Sequence, residues 1–191
     1  MDLKVDKVFE RVKFNEKALE QGEYENCIFR QCDFSNSSLS EIKFMEVEFM
    51  GCNLSLVKLN KTAFRDVIFK ECKMLGMHFK NCNEFGLSFS FENCQLNHSS
   101  FYRTKIKKTS FKNSSLLEVD YTECDLTGCV FENCDFAGTT FDNTIIENAD
   151  FRTSFNYSID PEKNRIRKAK FSILGISGLL DKYDIEIDSS I

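Results

Sequence analysis

The sequence predicts an all-β fold: a four-sided parallel β-helix of about eight coils, closed by a short C-terminal helix. Three observations predict it. An apolar residue stands at every fifth position, every fourth of these is Phe, and a small residue, often Cys, precedes the apolar centre by two places.

From the N-terminus the centres run Phe9, Phe14, Leu19, Tyr24, Phe29, Phe34, Leu39, Phe44, Phe49, Leu54, Leu59, Phe64, Phe69, Met74 and Phe79, with no polar exception. A period of five matches neither the helical 3.6 nor the strand 2.0, so a turn must recur within each unit. Four units per coil place residues 20 apart one above another. The chain obeys this: Phe9, Phe29, Phe49, Phe69, Phe91, Phe111, Phe131, Phe151 and Phe171 form one file once two residues are inserted before Phe91. Coils stacked about 4.8 Å apart make a rod of about 40 Å.

Cys27, Cys32, Cys52, Cys72, Cys82, Cys94, Cys124, Cys129 and Cys134 all stand two residues before a centre, counting the vacant slot at Glu84. Ser37, Val47, Thr62, Ser99, Thr109 and Ala149 share that position, which therefore wants a small inward side chain. Parallel side-chain vectors on neighbouring coils suit disulfide geometry poorly, so nine free thiols are expected.

Between Lys80 and Ser90 the period breaks. Alternation at Phe85, Leu87, Phe89 and Phe91 suggests a locally straight strand, and Gly86 offers a bend. A tolerated two-residue bulge near 83–90 and a hinge that shapes a binding face both fit. The series then resumes from Phe91 to Phe151 through Leu96, Phe101, Ile106, Phe111, Leu116, Tyr121, Leu126, Phe131, Phe136, Phe141 and Ile146.

Clear periodicity ends near Pro161, so residues 1–171 are assigned to the β-helix and 172–191 to a terminal cap. Ser172 suits the N-cap of a helix through Tyr183, and Asp184 to Asp188 alternates like a strand. A solenoid must cover its last coil. Ile173, Leu174, Ile176, Leu179, Leu180, Tyr183, Ile185 and Ile187 exceed what one helix buries against one coil, which favours a cap that also forms a homodimer over a monomeric one.

Composition excludes several classes. The start has no apolar leader and no run of eighteen apolar residues occurs, so a cytoplasmic protein without a membrane span is expected. His78 and His98 are the only histidines and neither sits in a triad or zinc-like spacing. There is no phosphate-binding glycine loop and no carboxylate pair to nominate as acid and base. A non-enzymatic protein with no cofactor and no metal is expected.

Charge carries the one surface signal. The net charge is −5, which disfavours direct nucleic-acid binding through a basic face. From Asn113 to Phe151 there is no Lys or Arg, while Glu118, Asp120, Glu123, Asp125, Glu132, Asp135, Asp142, Glu147 and Asp150 form an acidic collar on all four sides. Basic belts flank it: Arg103, Lys105, Lys107, Lys108 and Lys112 before, and Lys163, Arg165, Arg167, Lys168 and Lys170 after.

Units such as Cys32-Asp33-Phe34-Ser35-Asn36, Cys124-Asp125-Leu126, Cys134-Asp135-Phe136 and Ala149-Asp150-Phe151 resemble the pentapeptide-repeat family over about residues 5 to 171. That resemblance implies a right-handed quadrilateral parallel β-helix. The stretch Asn81 to Phe89, and the ending Leu179-Leu180-Asp181-Lys182-Tyr183-Asp184-Ile185-Glu186-Ile187, further resemble the quinolone-resistance (Qnr-type) members. These are dimeric rods joined at their C-terminal ends, whose acidic surface is thought to imitate DNA and engage gyrase or topoisomerase IV. The resemblance thus implies a type II topoisomerase partner and protection against fluoroquinolones. Many such proteins carry longer external loops, whereas this chain has only the two-residue insertion. A structural or interaction scaffold for an unrelated partner is the alternative.

Overall fold

The computed structural model describes residues 2–188. Each pentapeptide forms one side of a coil, and the corner falls two residues past the centre, where the backbone turns left-handed. Positive φ recurs there at Asn36, Glu41, Leu56, Lys61, His98, Arg103, Lys108, Glu118 and Glu123, with Gly at positions 51, 76, 128 and 138. At most corners one left-handed residue bends an otherwise extended chain into a square, and Asn and Gly tolerate that region best.

Two sides run as strands. One sheet holds β1 (Leu3–Val5), β3 (Glu23–Glu25), β5 (Lys43–Met45) and β7 (Ala63–Arg65) in that order. The other holds β2 (Val8–Glu10), β4 (Ile28–Arg30), β6 (Glu48–Met50), β8 (Val67–Lys70), β9 (Phe89–Glu92), β10 (Ser110–Lys112) and β11 (Val130–Glu132). All pairings are parallel, at an offset of 20 except β8 to β9, where Phe69 meets Phe91. The remaining sides are turns joined by single bridges such as Asp33 to Asn53 and Ser100 to Asp120. Seven successive strands amount to about six turns of regular sheet. Beyond β11 the stack continues through the bridges Val130 to Asp150 and Asp150 to Lys170.

The interior is filled by the predicted centres. The nine-member Phe file is continuous: Phe29 and Phe49 stack at 4.9 Å, Phe91 and Phe111 at 4.9 Å, and Phe151 and Phe171 at 5.5 Å. Neighbouring sides meet edge to face, as Phe34 and Phe49 do at 5.7 Å. All nine cysteines are buried and free.

The small position does more than leave room. Its Sγ or Oγ donates to the main-chain carbonyl of a centre on the preceding coil: Cys52 to Phe29 O at 3.3 Å, Thr62 to Leu39 O at 2.8 Å, Ser99 to Met74 O at 2.9 Å and Ser154 to Phe131 O at 3.0 Å. Cys, Ser and Thr recur there because a buried carbonyl gains a donor.

The two extra residues end one sheet and spare the other. The four-stranded sheet stops at Arg65, whereas β8 and β9 pair without a gap. The straight strand expected from Phe85 is shorter than that alternation suggested. Residues 85–86 turn, with Gly86 at φ +68, and strand geometry begins only at Phe89. Phe85 is 77% exposed and lies 5.3 Å from the Arg65 guanidinium.

The C-terminal helix forms as two 3₁₀ segments, Ile173–Leu179 and Asp181–Tyr183. Ser172 caps the first as predicted, accepting from Gly175 N at 3.1 Å. Tight winding follows from Gly175 and Gly178, which let the segment lie directly on the last coil; a Cβ on Gly178 would stand 2.0 Å from Tyr157 O. The strand expected over Asp184 to Asp188 does not form, since Asp184 adopts a left-handed conformation that turns the chain away. The end of the assigned cap, 189–191, lies outside the described residues.

Candidate protein-interaction surface

The collar residues lie on all four sides, and the 20-residue stacking brings many of them against the basic belts. Arg103 grips Glu123 with Nε at 2.6 Å and Nη2 at 3.1 Å. Lys107 Nζ stands 3.1 Å from Asp125, and His98 Nδ1 3.2 Å from Glu118. At the far edge Arg165 meets Glu147 at 2.9 Å, while Asp150 holds Arg152 at 2.7 Å and Lys170 at 3.7 Å. Among the described residues, Asp120, Glu132, Asp135 and Asp142 form no ion pair. The belts and collar are thus one interleaved charge pattern. The sequence contained the signal: His98 and Glu118, Arg103 and Glu123, and Asp150 and Lys170 are each 20 apart.

Several collar carboxylates also shape the turns. Asp120, Asp125, Asp135 and Asp150 each precede a centre and accept from the amide two residues on, at 2.9, 3.1, 3.1 and 3.2 Å. Hydrogen bonding from Arg152 holds the Asp150 carboxyl below the usual carboxylate range. Burial pushes Asp125 up, but Thr127 and Lys107 outweigh it and the net shift is down. Asp125 and Asp150, both lowered, remain charged at neutral pH.

The tail divides into an anchor and an exposed apolar edge. Leu179 is buried, Leu180 is half-buried, and Ile159 N donates to Gly178 O at 2.8 Å. Lys182 bridges Asp160 at 2.8 Å and Glu162 at 2.6 Å. Ile173 and Leu174 are 86% and 92% exposed, and Ile176, Tyr183, Ile185 and Ile187 are exposed as well. Between tail and last coil lies an open groove of about 970 Å³ lined by Phe155, Tyr157, Leu174 and Ser177 among others.

Among the described residues, no group of three or more His, Cys, Asp or Glu could hold a metal ion. Among the same residues, no helix is long and apolar enough to cross a membrane.

A side-chain-filled rod of stacked five-residue sides, with its polar chemistry spread around the outside, defines a parallel β-solenoid. Residues 22–101, 42–121 and 87–154 match the family model described as Pentapeptide repeat region, and the chain belongs to the pentapeptide-repeat family. Its fold is similar to that of QnrB1, a plasmid-mediated fluoroquinolone resistance protein. A trypsin-treated variant of it aligns with TM-score 0.65 and 14% identity over 98% of this chain and 100% of that one. A second variant aligns with TM-score 0.63 and 17% identity over 97% and 99%. HetL, a pentapeptide-repeat protein involved in heterocyst differentiation regulation from the cyanobacterium Nostoc sp. strain PCC 7120, aligns with TM-score 0.55 and 10% identity over 89% and 87%. Among curated proteins, no sequence match to this chain is found.

Proposed function

We propose that this chain is a non-enzymatic cytoplasmic binding protein that imitates DNA and engages a type II topoisomerase, gyrase or topoisomerase IV, as a homodimer joined through its C-terminal end. The observation that carries this reading is adjacency. A collar with nine acids and no Lys or Arg lies one coil, the one that carries the second basic belt, from an end that exposes Ile173, Leu174, Ile176, Tyr183, Ile185 and Ile187. Joining two such ends buries the apolar edge and brings two collars together near the middle of a rod about 80 Å long, which spans about 23 base pairs of duplex. Glu132 and Asp142, which have no ion-pair partner among the described residues, are the collar positions freest to face a basic DNA-binding surface.

The interaction-scaffold reading is favoured by a specific observation too. The ion pairs at Glu123, Asp125, Glu147 and Asp150 neutralise much of the collar from within the rod.

A gyrase supercoiling assay with and without a fluoroquinolone, repeated at raised salt, separates the two. Mimicry predicts inhibition or drug rescue that fades with salt and weakens in Glu132→Lys/Asp142→Lys. No effect at micromolar protein supports the scaffold. Light scattering tests the dimer: the wild-type mass should be twice that of Leu174→Asp, and a monomeric wild type rejects the joined-end arrangement.

A further inference from the structure

The seven-stranded side is the longest regular surface of the molecule. Successive rings in the Phe file behind it stack with interplanar angles of 8° between Phe9 and Phe29 up to 26° between Phe131 and Phe151. The residue after each Phe points outward, giving the column Glu10, Arg30, Met50, Lys70, Glu92, Lys112, Glu132 and Arg152. The parallel column on the other flank exposes Val8, Ile68 and Val130 and also carries Glu48 and Asp150, which pair within the rod with Lys70 and Arg152 and leave Arg30, Glu132, Glu10, Glu92 and Lys112 as the less committed charges of the first column.

The charge column reads minus, plus, neutral, plus, minus, plus, minus, plus. Turned end for end, it becomes its own complement. Glu10 falls opposite Arg152, Arg30 opposite Glu132, Met50 opposite Lys112 and Lys70 opposite Glu92, so every charged pair is of opposite sign or meets Met50. A two-fold axis across the rod, in the plane of contact, produces this arrangement, and it sets Ile28 against Val130 in the flanking column. The rungs repeat every ~4.8 Å, a pitch that another β-solenoid matches rung for rung.

The geometry points to a second, lateral self-contact: two copies of this chain pairing face to face and antiparallel through the β2 to β11 side. Eight rungs about 10 Å wide cover about 350 Å² per copy, less than half of the ~800 Å² per partner of a standard interface. The contact is therefore weak, reversible and salt-sensitive. It is separate from the C-terminal contact proposed above, and the two would fail separately.

The test uses the full chain carrying Leu174→Asp, which disables the tail contact. Met50→Cys and Lys112→Cys lie about 14 Å apart within one rod, too far for an internal disulfide, but opposite each other between copies. The double variant should form disulfide-linked dimers under mild oxidation, while each single variant should not. Sedimentation at low salt should show Arg30→Glu weakening association at least threefold and Arg30→Glu/Glu132→Arg restoring it. Within one rod the double swap instead places like charges beside each other, at Glu10 and at Lys112. Equal linking in single and double cysteine variants, or failure of the double swap to restore association in a protein that retains its circular dichroism, overturns the proposal.

Discussion

Replacing Phe111 by Ala removes a ring from the middle of the file. Phe111 is fully buried, stacks 4.9 Å from Phe91 on one side and 4.9 Å from Phe131 on the other, and meets the edge of Phe101 at 6.1 Å. Phe-to-Ala changes in packed cores cost about 3–5 kcal/mol, and a rod filled at every level has little room to collapse into the void. Phe9 has one stacking neighbour, Phe29 at 4.7 Å, and is only partly buried. Since each coil contacts only its neighbours, the central change breaks two coil-to-coil contacts and the terminal one breaks one, so Phe9→Ala should cost about half as much. Urea unfolding followed by circular dichroism gives both values, and hydrogen exchange shows where the rod opens. Phe111→Ala should also broaden the transition, because the coils on either side lose their coupling. Equal costs at the two sites, or a loss at Phe111 below about 1.5 kcal/mol, would refute the nearest-neighbour argument.

Gly138 sits at φ +71 with its missing Cβ 2.9 Å from Glu118 Cγ, so Gly138→Ala should lose about 1–2 kcal/mol in urea melts. Adding Glu118→Ala should recover only the steric share. Burial pushes the thiols of Cys82 and Cys124 up to about 12 and that of Cys134 up to about 11, so thiol reagents at pH 8 should label them only once urea unfolds the rod. Asp150 and Asp160 have folded pKa values lowered first by Arg152 and by Lys182 respectively. Their contribution is present above about pH 4 and is lost as pH falls through the lowered values, so the urea midpoint should drop between pH 5 and pH 3.

The coil, its four sides and its inward residues were legible because a filled solenoid repeats one steric demand at a fixed interval. The Phe file needed no tertiary knowledge beyond that interval. The collar was legible as a list of residues but not as a surface, since counting charge along the chain ignores the coils above and below. Arg103 reaches Glu123 because they occupy successive corners, a relation already implied by the spacing. The tail was harder. Its apolar residues identified a cap, but Gly175 and Gly178 favour tight winding against Tyr157, and nothing local marks Asp184 as left-handed. The donor role of the small inward position was hidden for a different reason. Cys, Ser and Thr all read as small, and only the carbonyl they meet reveals the hydrogen bond they share.

The two-residue insertion behaves like an edge dislocation in a crystal. Lattice planes on one side of it run through unbroken, from β8 to β9, while on the other a row of strands terminates at Arg65. A dislocation confines misfit to its own line, which is why the spacing of 20 is restored by the next coil, where Phe91 meets Phe111. Length changes in such a rod are therefore cheap at a corner beside a terminated row and costly within a continuous one. The chain can grow by whole coils or by small corner insertions while the stacked rings on the unbroken side keep their register.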